Sequence, residues 1–154
     1  FGRKNGYKLQ LIGIDANQDA IDYANELSVN YPEVSFKNED IFSEEFRAIN
    51  YDIALTTLFL HHFKEDELLA LLSNLSNNAN MGVVVNDLQR SKMAYVLFKL
   101  LGIFISNYMI KQDGLTSILR AFKREDLEAM SKKLNLKSQI RWKWAFRYQW
   151  LIFS

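Results

Sequence analysis

LIGIDANQDAIDYANE, residues 11–26, decides the fold. The apolar run 8–14 that opens it reads as a short buried strand. The run ends on Asp15, and Asn17 follows as an N-cap, because its side-chain oxygen can accept from the free N–H groups of a first helical turn. Residues 18–29 place Ile21, Ala24 and Leu27 at helical spacing, with Asp19, Asp22 and Glu26 off that stripe. Tyr31-Pro32 stops the helix, since a residue before proline avoids helical backbone angles.

Outward from this unit the pattern repeats. VSFKNEDIF (34–42) begins as a strand and runs into the acidic pair Glu39-Asp40, and a weak turn or helix follows near 43–48. YDIALTTLFL (51–60) is a strand with its exit, followed by His61-His62 and a helix over 64–76 carrying Leu68, Leu69, Leu72 and Leu75 on one face. Residues 82–87 form a β-branched strand. Ser91 caps a helix rich in apolar residues as far as Ile105, Asp113-Gly114 turns the chain, and a second short helix follows. Residues 124–134 form an amphipathic helix through Leu127, Met130 and Leu134. Strands near 138–144 and 147–153 have no room for a helix between them, so they pair antiparallel. Such alternation means an α/β architecture, a mostly parallel sheet with helices on both faces and a terminal antiparallel strand pair. The reading is one domain, 1–154, with a helical insert at about 91–121. At the start, Phe1–Gly6 reads as the last turn of a helix stopped by Gly6.

Composition narrows the chemistry. Of 154 residues, 49% are hydrophobic and 24% charged, a balance that excludes wholesale disorder. Net charge is +1, so no global field draws the chain to nucleic acid. Absence of cysteine excludes disulfides, thiolate zinc and cysteine nucleophiles, and permits a reducing, cytoplasmic home. Two histidines in one dipeptide argue against a multi-histidine metal site, and no metal is expected. Residues 93–110 are apolar, but Lys99 interrupts them, Gly102 weakens them and Asn107 falls near their end, so no stable membrane span is expected. The stretch suits core, a homo-dimer face or a lid over a lipophilic acceptor. Arg141 and Lys143 alternate with Trp142 and Trp144; basic–aromatic interleaving can bind single strands, yet strict alternation is also a half-buried strand, and the net charge argues against nucleic acid.

In parallel sheets, ligands gather at the carboxyl ends of the strands. That singles out Asp15, Asp40, Thr57-Leu58 and Asn86-Asp87. A carboxylate at Asp15 can accept both hydroxyl protons of a ribose, or simply complement a helix dipole. Asp40 can accept from an exocyclic adenine amine while the Ile41 N–H meets a ring nitrogen, or it is a solvated loop acid.

LIGIDANQDAIDYANE, VSFKNEDIF and YDIALTTLFLHHF resemble the second, third and fourth motifs of class I S-adenosylmethionine-dependent methyltransferases, a Rossmann-like family with sheet order 3-2-1-4-5-7-6. VVVNDLQRS (83–91) resembles the family's fifth strand. GLTSILRAFKREDLEAM (114–130), with the closing strand pair, resembles a bacterial subgroup acting on hydrophobic small molecules. The resemblance implies methyl transfer from S-adenosylmethionine to such an acceptor. By it, Asp15 holds the ribose diol, Ala16 lies against the adenine, Asp40 and Ile41 read the adenine edge, and Thr57 and Leu58 line the methionine end. His61, His62 and Arg90 face the acceptor, with His62 a candidate base or substrate contact, or the histidine pair simply packs the strand–helix corner. The family's first strand and its glycine-rich turn find no counterpart, so the chain reads as a fragment in which 8–14 is expected to pair directly with 51–57 or to take a strand from another chain. HHFKED (61–66) also matches the HHxxxD of condensation-type acyltransferases, but Glu67 stands where that family has glycine. The rivals to the methyltransferase reading are a nicotinamide-binding Rossmann domain and a non-enzymatic interaction module built on the 93–110 helix.

Overall fold

In the computed structural model, which describes residues 2–154, the chain divides into two units, Phe1–Ile49 and Asn50–Ser154. The first opens with a 3-10 turn, Arg3–Asn5, ended by Gly6 at φ 72°, left-handed backbone that a Cβ would strain. The expected helix end is therefore met from Arg3 onward, and Phe1 lies outside the described residues. Strand β1 (Leu11–Asp15), helix α1 (Gln18–Leu27), strand β2 (Val34–Asn38) and helix α2 (Glu44–Arg47) follow. Asn17 caps α1 as its position demands, accepting from Asp19 N at 2.9 Å and Ala20 N at 3.3 Å. Ser43 caps α2 through Phe46 N at 2.9 Å. β1 and β2 run parallel, in register from Leu11 opposite Val34 to Asp15 opposite Asn38.

Two expectations for this unit fail. The 8–14 run is not buried: Leu11 and Ile12 are exposed, because β1 has β2 as its one ladder partner. Of the α1 stripe only Ile21 is buried, and Leu27 is exposed, since a two-stranded sheet is too narrow to cover the whole face.

The second unit holds strand β3 (Tyr51–Thr57), helix α3 (Glu65–Asn78), strand β4 (Ala79–Leu88), helices α4 (Lys92–Leu101), α5 (Tyr108–Arg120) and α6 (Arg124–Lys133), and strands β5 (Lys137–Lys143) and β6 (Arg147–Phe153). Its sheet order is β3-β4-β6-β5, parallel between β3 and β4 and antiparallel elsewhere. The closing strands pair with each other as expected, and β6 also joins β4. The core is Val83 and Val85 of β4, Trp150 and Ile152 of β6, and leucines of α3 together with Leu127 and Met130 of α6. Ser91 caps α4 through Ala94 N.

Asp113-Gly114 does not turn the chain but lies inside α5, whose cap is Asn107, accepting from Met109 N at 2.9 Å and Ile110 N at 3.3 Å. Glycine is needed at 114 for a different reason: a Cβ there would overlap the ring of Phe98 on α4. The expected α4 is also shorter, ending at Leu101 rather than reaching Ile105. The apolar excess of this segment stays on the surface, with Ile103, Phe104, Tyr108 and Met109 all exposed.

Residues 8–14 do not pair with 51–57. Among the described residues β1 is laddered to β2 alone and β3 to β4 alone. The two sheet orders instead reproduce those on either side of the first strand in the family order. β3 accordingly shows Ile53 and Leu55 on its surface, at 53% and 69% exposure, where a central strand would bury them.

Candidate functional site

In the first unit the expected residues gather at the carboxyl edge of β1 and β2. Asp15 ends β1, and its Oδ1 accepts from Asn17 N at 2.8 Å, which shapes the strand-to-helix turn. Its carbonyl accepts from Glu39 N at 3.1 Å, and Asn38 Nδ2 donates to the Ala16 carbonyl at 3.0 Å. These bonds tie the exits of the two strands together. Asp40 lies just past β2, with Oδ1 accepting from Phe42 N at 2.9 Å. Both acids are exposed, Ala16 is exposed and Ile41 is half-buried. The fold therefore brings Asp15, Ala16, Asp40 and Ile41 to one edge of one parallel pair.

In the second unit the corresponding edge is the end of β3 and β4. Thr57 stands opposite Asn86, and Leu58 N donates to the Asn86 carbonyl at 2.9 Å. Leu58 has φ 52°, left-handed backbone that a non-glycine residue adopts only when its surroundings impose it. A 3-10 turn, Leu60–His62, then leads toward α3.

The three residues expected on the acceptor side differ in their surroundings. His61 is turned into the core, 5% exposed, with Nδ1 2.6 Å from Asp87 Oδ1. Arg90 is exposed and ion-paired to Asp126, which also caps α6 by accepting from Lys123 N at 2.8 Å. His62 is exposed, its ring 4.2 Å from that of His61 between centroids. Desolvation pulls the His62 pKa below its ordinary 6.5, and the neighbouring His61 adds to the fall, while Asp113 and Asp87 oppose it.

Asp87 stands out in the sequence, with Asn86, as one of the strand carboxyl ends where a ligand could gather. Among the described residues it is the one buried acid, 2% exposed. The available signal was an acid directly after a β-branched run at the carboxyl end of a strand, and nothing local distinguishes such an acid from a solvated one. No cluster of three or more metal-ligating side chains occurs among the described residues.

Residues 3–77 match the family model described as Methyltransferase domain. The first half of the chain is therefore similar to the methyltransferase domain family. The cofactor this methyltransferase domain implies is S-adenosylmethionine, and its activity is methyl transfer from it. Solved structures share the fold at low identity. The plantazolicin methyltransferase BpumL, in complex with a pentazolic desmethylPZN analog and SAH, is 16% identical at TM-score 0.71, over 99% of this chain and 70% of that one. Magnesium protoporphyrin IX methyltransferase (ChlM) from Synechocystis PCC 6803, with bound SAH, is 17% identical at TM-score 0.63, over 97% and 66%. An O-methyltransferase family 2 protein from Planctomyces limnophilus DSM 3776, in complex with apigenin, is 14% identical at TM-score 0.70, over 99% and 44%. The chain thus spans about two thirds of the first two of these chains. No curated protein matches the sequence. No helix among the described residues is long and apolar enough to cross a membrane.

Proposed function

We propose that this protein methylates an oxygen, nitrogen or carbon of a hydrophobic small molecule, with S-adenosylmethionine as donor. The observation that carries the reading is the edge of β1 and β2, where two exposed carboxylates stand at the exits of adjacent parallel strands. The donor set there fits a nucleoside: Asp15 accepts from the ribose hydroxyls, Ala16 packs on the adenine, and Asp40 with the Ile41 N–H reads the adenine edge. Thr57 and Leu58 line the methionine end. When bound, the cofactor supplies an already activated methyl, so the protein's own task is alignment and, where the acceptor needs it, removal of a proton. His62, exposed and held toward its neutral form, is the residue for that proton. The buried ring of His61 and the Asp126-bound guanidinium of Arg90 support no direct contact with the acceptor.

Lipophilic acceptor chemistry is supported by the exposed apolar residues of 93–110 and by the structurally similar proteins, solved with a pentazolic desmethylPZN analog and with apigenin. The same surface suits a second copy of the chain. Absence of cysteine and the bacterial source of two relatives support a bacterial cytoplasm. The test is isothermal titration with S-adenosylmethionine and with NAD in parallel, followed by transfer of a radiolabelled methyl to a panel of aromatic and lipophilic acceptors. Binding of NAD alone, or of neither, removes the reading.

A further inference from the structure

Four donors converge on the buried carboxylate of Asp87. Oδ2 accepts from Phe59 N at 3.2 Å and Leu60 N at 2.8 Å, and Oδ1 accepts from Leu88 N at 2.7 Å and faces His61 Nδ1 at 2.6 Å. A carboxylate is an acceptor only, so the His61 nitrogen facing it carries the proton. The side chains of both residues are 3% exposed. A buried carboxylate without partners would be costly, and this one is fully engaged.

We propose that Asp87 is a positioning residue: it fixes the turn after β3 and the Nδ1–H form of His61, and so sets where the exposed imidazole of His62 stands. The chain of contacts is continuous. Asn86 holds Leu58 N, Asp87 holds Phe59 N and Leu60 N, and the Phe59 carbonyl accepts from His62 N at 3.2 Å. The end of β4 thereby templates the whole exit of β3, including the left-handed Leu58. The two imidazoles lie 4.2 Å apart at 37°, so the orientation of the buried ring constrains the exposed one. The charged groups acting on His62 are His61 of the same turn, Asp87 of β4, and Asp113 and Arg120 of α5.

A proton-accepting role for His62 rests on the methyl-transfer reading; the anchoring of the turn does not. The test is therefore read without turnover, by nitrogen NMR of the histidine rings in this chain. The expected result is a single Nδ1–H tautomer for His61, with His62 titrating separately. Asp87→Asn offers an amide in place of an acceptor pair, so His61 should change tautomer or exchange between two, and the His62 midpoint should move. Asp87→Glu should restore part of the wild-type pattern. If Asp87→Asn does not fold, the wild-type spectrum decides alone: an Nε2–H tautomer for His61 overturns the proposal. A folded Asp87→Asn that leaves both rings unchanged overturns it equally. In a methyl-transfer assay the same variant should lose about 100-fold in kcat, the scale of a misplaced reactive group. Absent transfer in a wild type that keeps the Nδ1–H signature upholds the anchoring by Asp87 and overturns the enzymatic reading alone.

Discussion

The backbone of Gly82 passes so close to Ile152 that a Cβ on the glycine would overlap the Ile152 carbonyl oxygen. Gly82 also has φ 145°, a conformation that side chains resist. It lies where β4 pairs on one side with Ile53 and on the other with Phe153, so neither neighbour can withdraw without breaking a ladder. Gly82→Ala is expected to destabilise the second unit by at least about 1–3 kcal/mol, the cost of one strained backbone position. Urea unfolding followed by tryptophan fluorescence measures this, because Trp150 sits fully buried on β6. An unchanged midpoint would mean that the two strands can part at no cost.

Asp15 has two duties that two substitutions separate. Its Oδ1 shapes the turn into α1, and its carboxylate is proposed to hold a ribose. Asp15→Asn keeps an oxygen for the Asn17 N–H but loses the charge. Both Asp15→Asn and Asp15→Ala should weaken S-adenosylmethionine, the alanine by about tenfold, equal to roughly 1.4 kcal/mol. Titration calorimetry reads this directly. Equal affinity in wild type and Asp15→Ala, with unchanged circular dichroism, would remove Asp15 from the site.

The pH dependence at His62 has a definite sign. Its folded pKa lies below the unfolded 6.5, chiefly through desolvation, so the unfolded chain binds more protons as pH falls through 6.5. Stability attached to this ring is full above that value and declines on the acid side until the folded ring also protonates. His62→Gln should flatten the decline just below pH 6.5 in a series of thermal melts. A steeper decline in the variant would reverse the assigned direction.

Phe104, in the link between α4 and α5, at 87% exposure, and Met109 of α5, at 77%, stand out among other exposed apolar residues. If a second copy covers this face, the chain should self-associate, and Phe104→Asp with Met109→Asp should return it to a monomer. Light scattering across a concentration series gives the answer. A wild type that is monomeric at every concentration would assign the face to the acceptor instead.

The local order of elements was legible because each depends on neighbours in the chain. Asn17 and Ser91 cap where their side chains fall just before apolar spacing, whereas α1 ends at Leu27, short of the Tyr31-Pro32 stop. The carboxyl-edge placement of Asp15 and Asp40 followed from strand-then-helix order alone. Gly114 misled, since glycine marks a turn and a tight helix contact equally; only the ring of Phe98 across the helix pair distinguishes them.

Burial and partnership were decided by the tertiary structure. Leu11 reads as core from its apolar run, yet it is exposed, as are Ile53 and Leu55, because a strand's burial depends on how many strands flank it, which no local pattern encodes. His61 and His62 are identical neighbours in sequence. Asp87 lies 26 residues further along, and only the parallel pairing of β3 with β4 brings its carboxylate to the first ring and not the second. The sequence by itself determined which residues stand at strand ends, because hydrophobic periodicity and capping are short-range. The sheet decided which of those side chains is anchored and which is left exposed, because that choice depends on contacts between segments far apart in the chain.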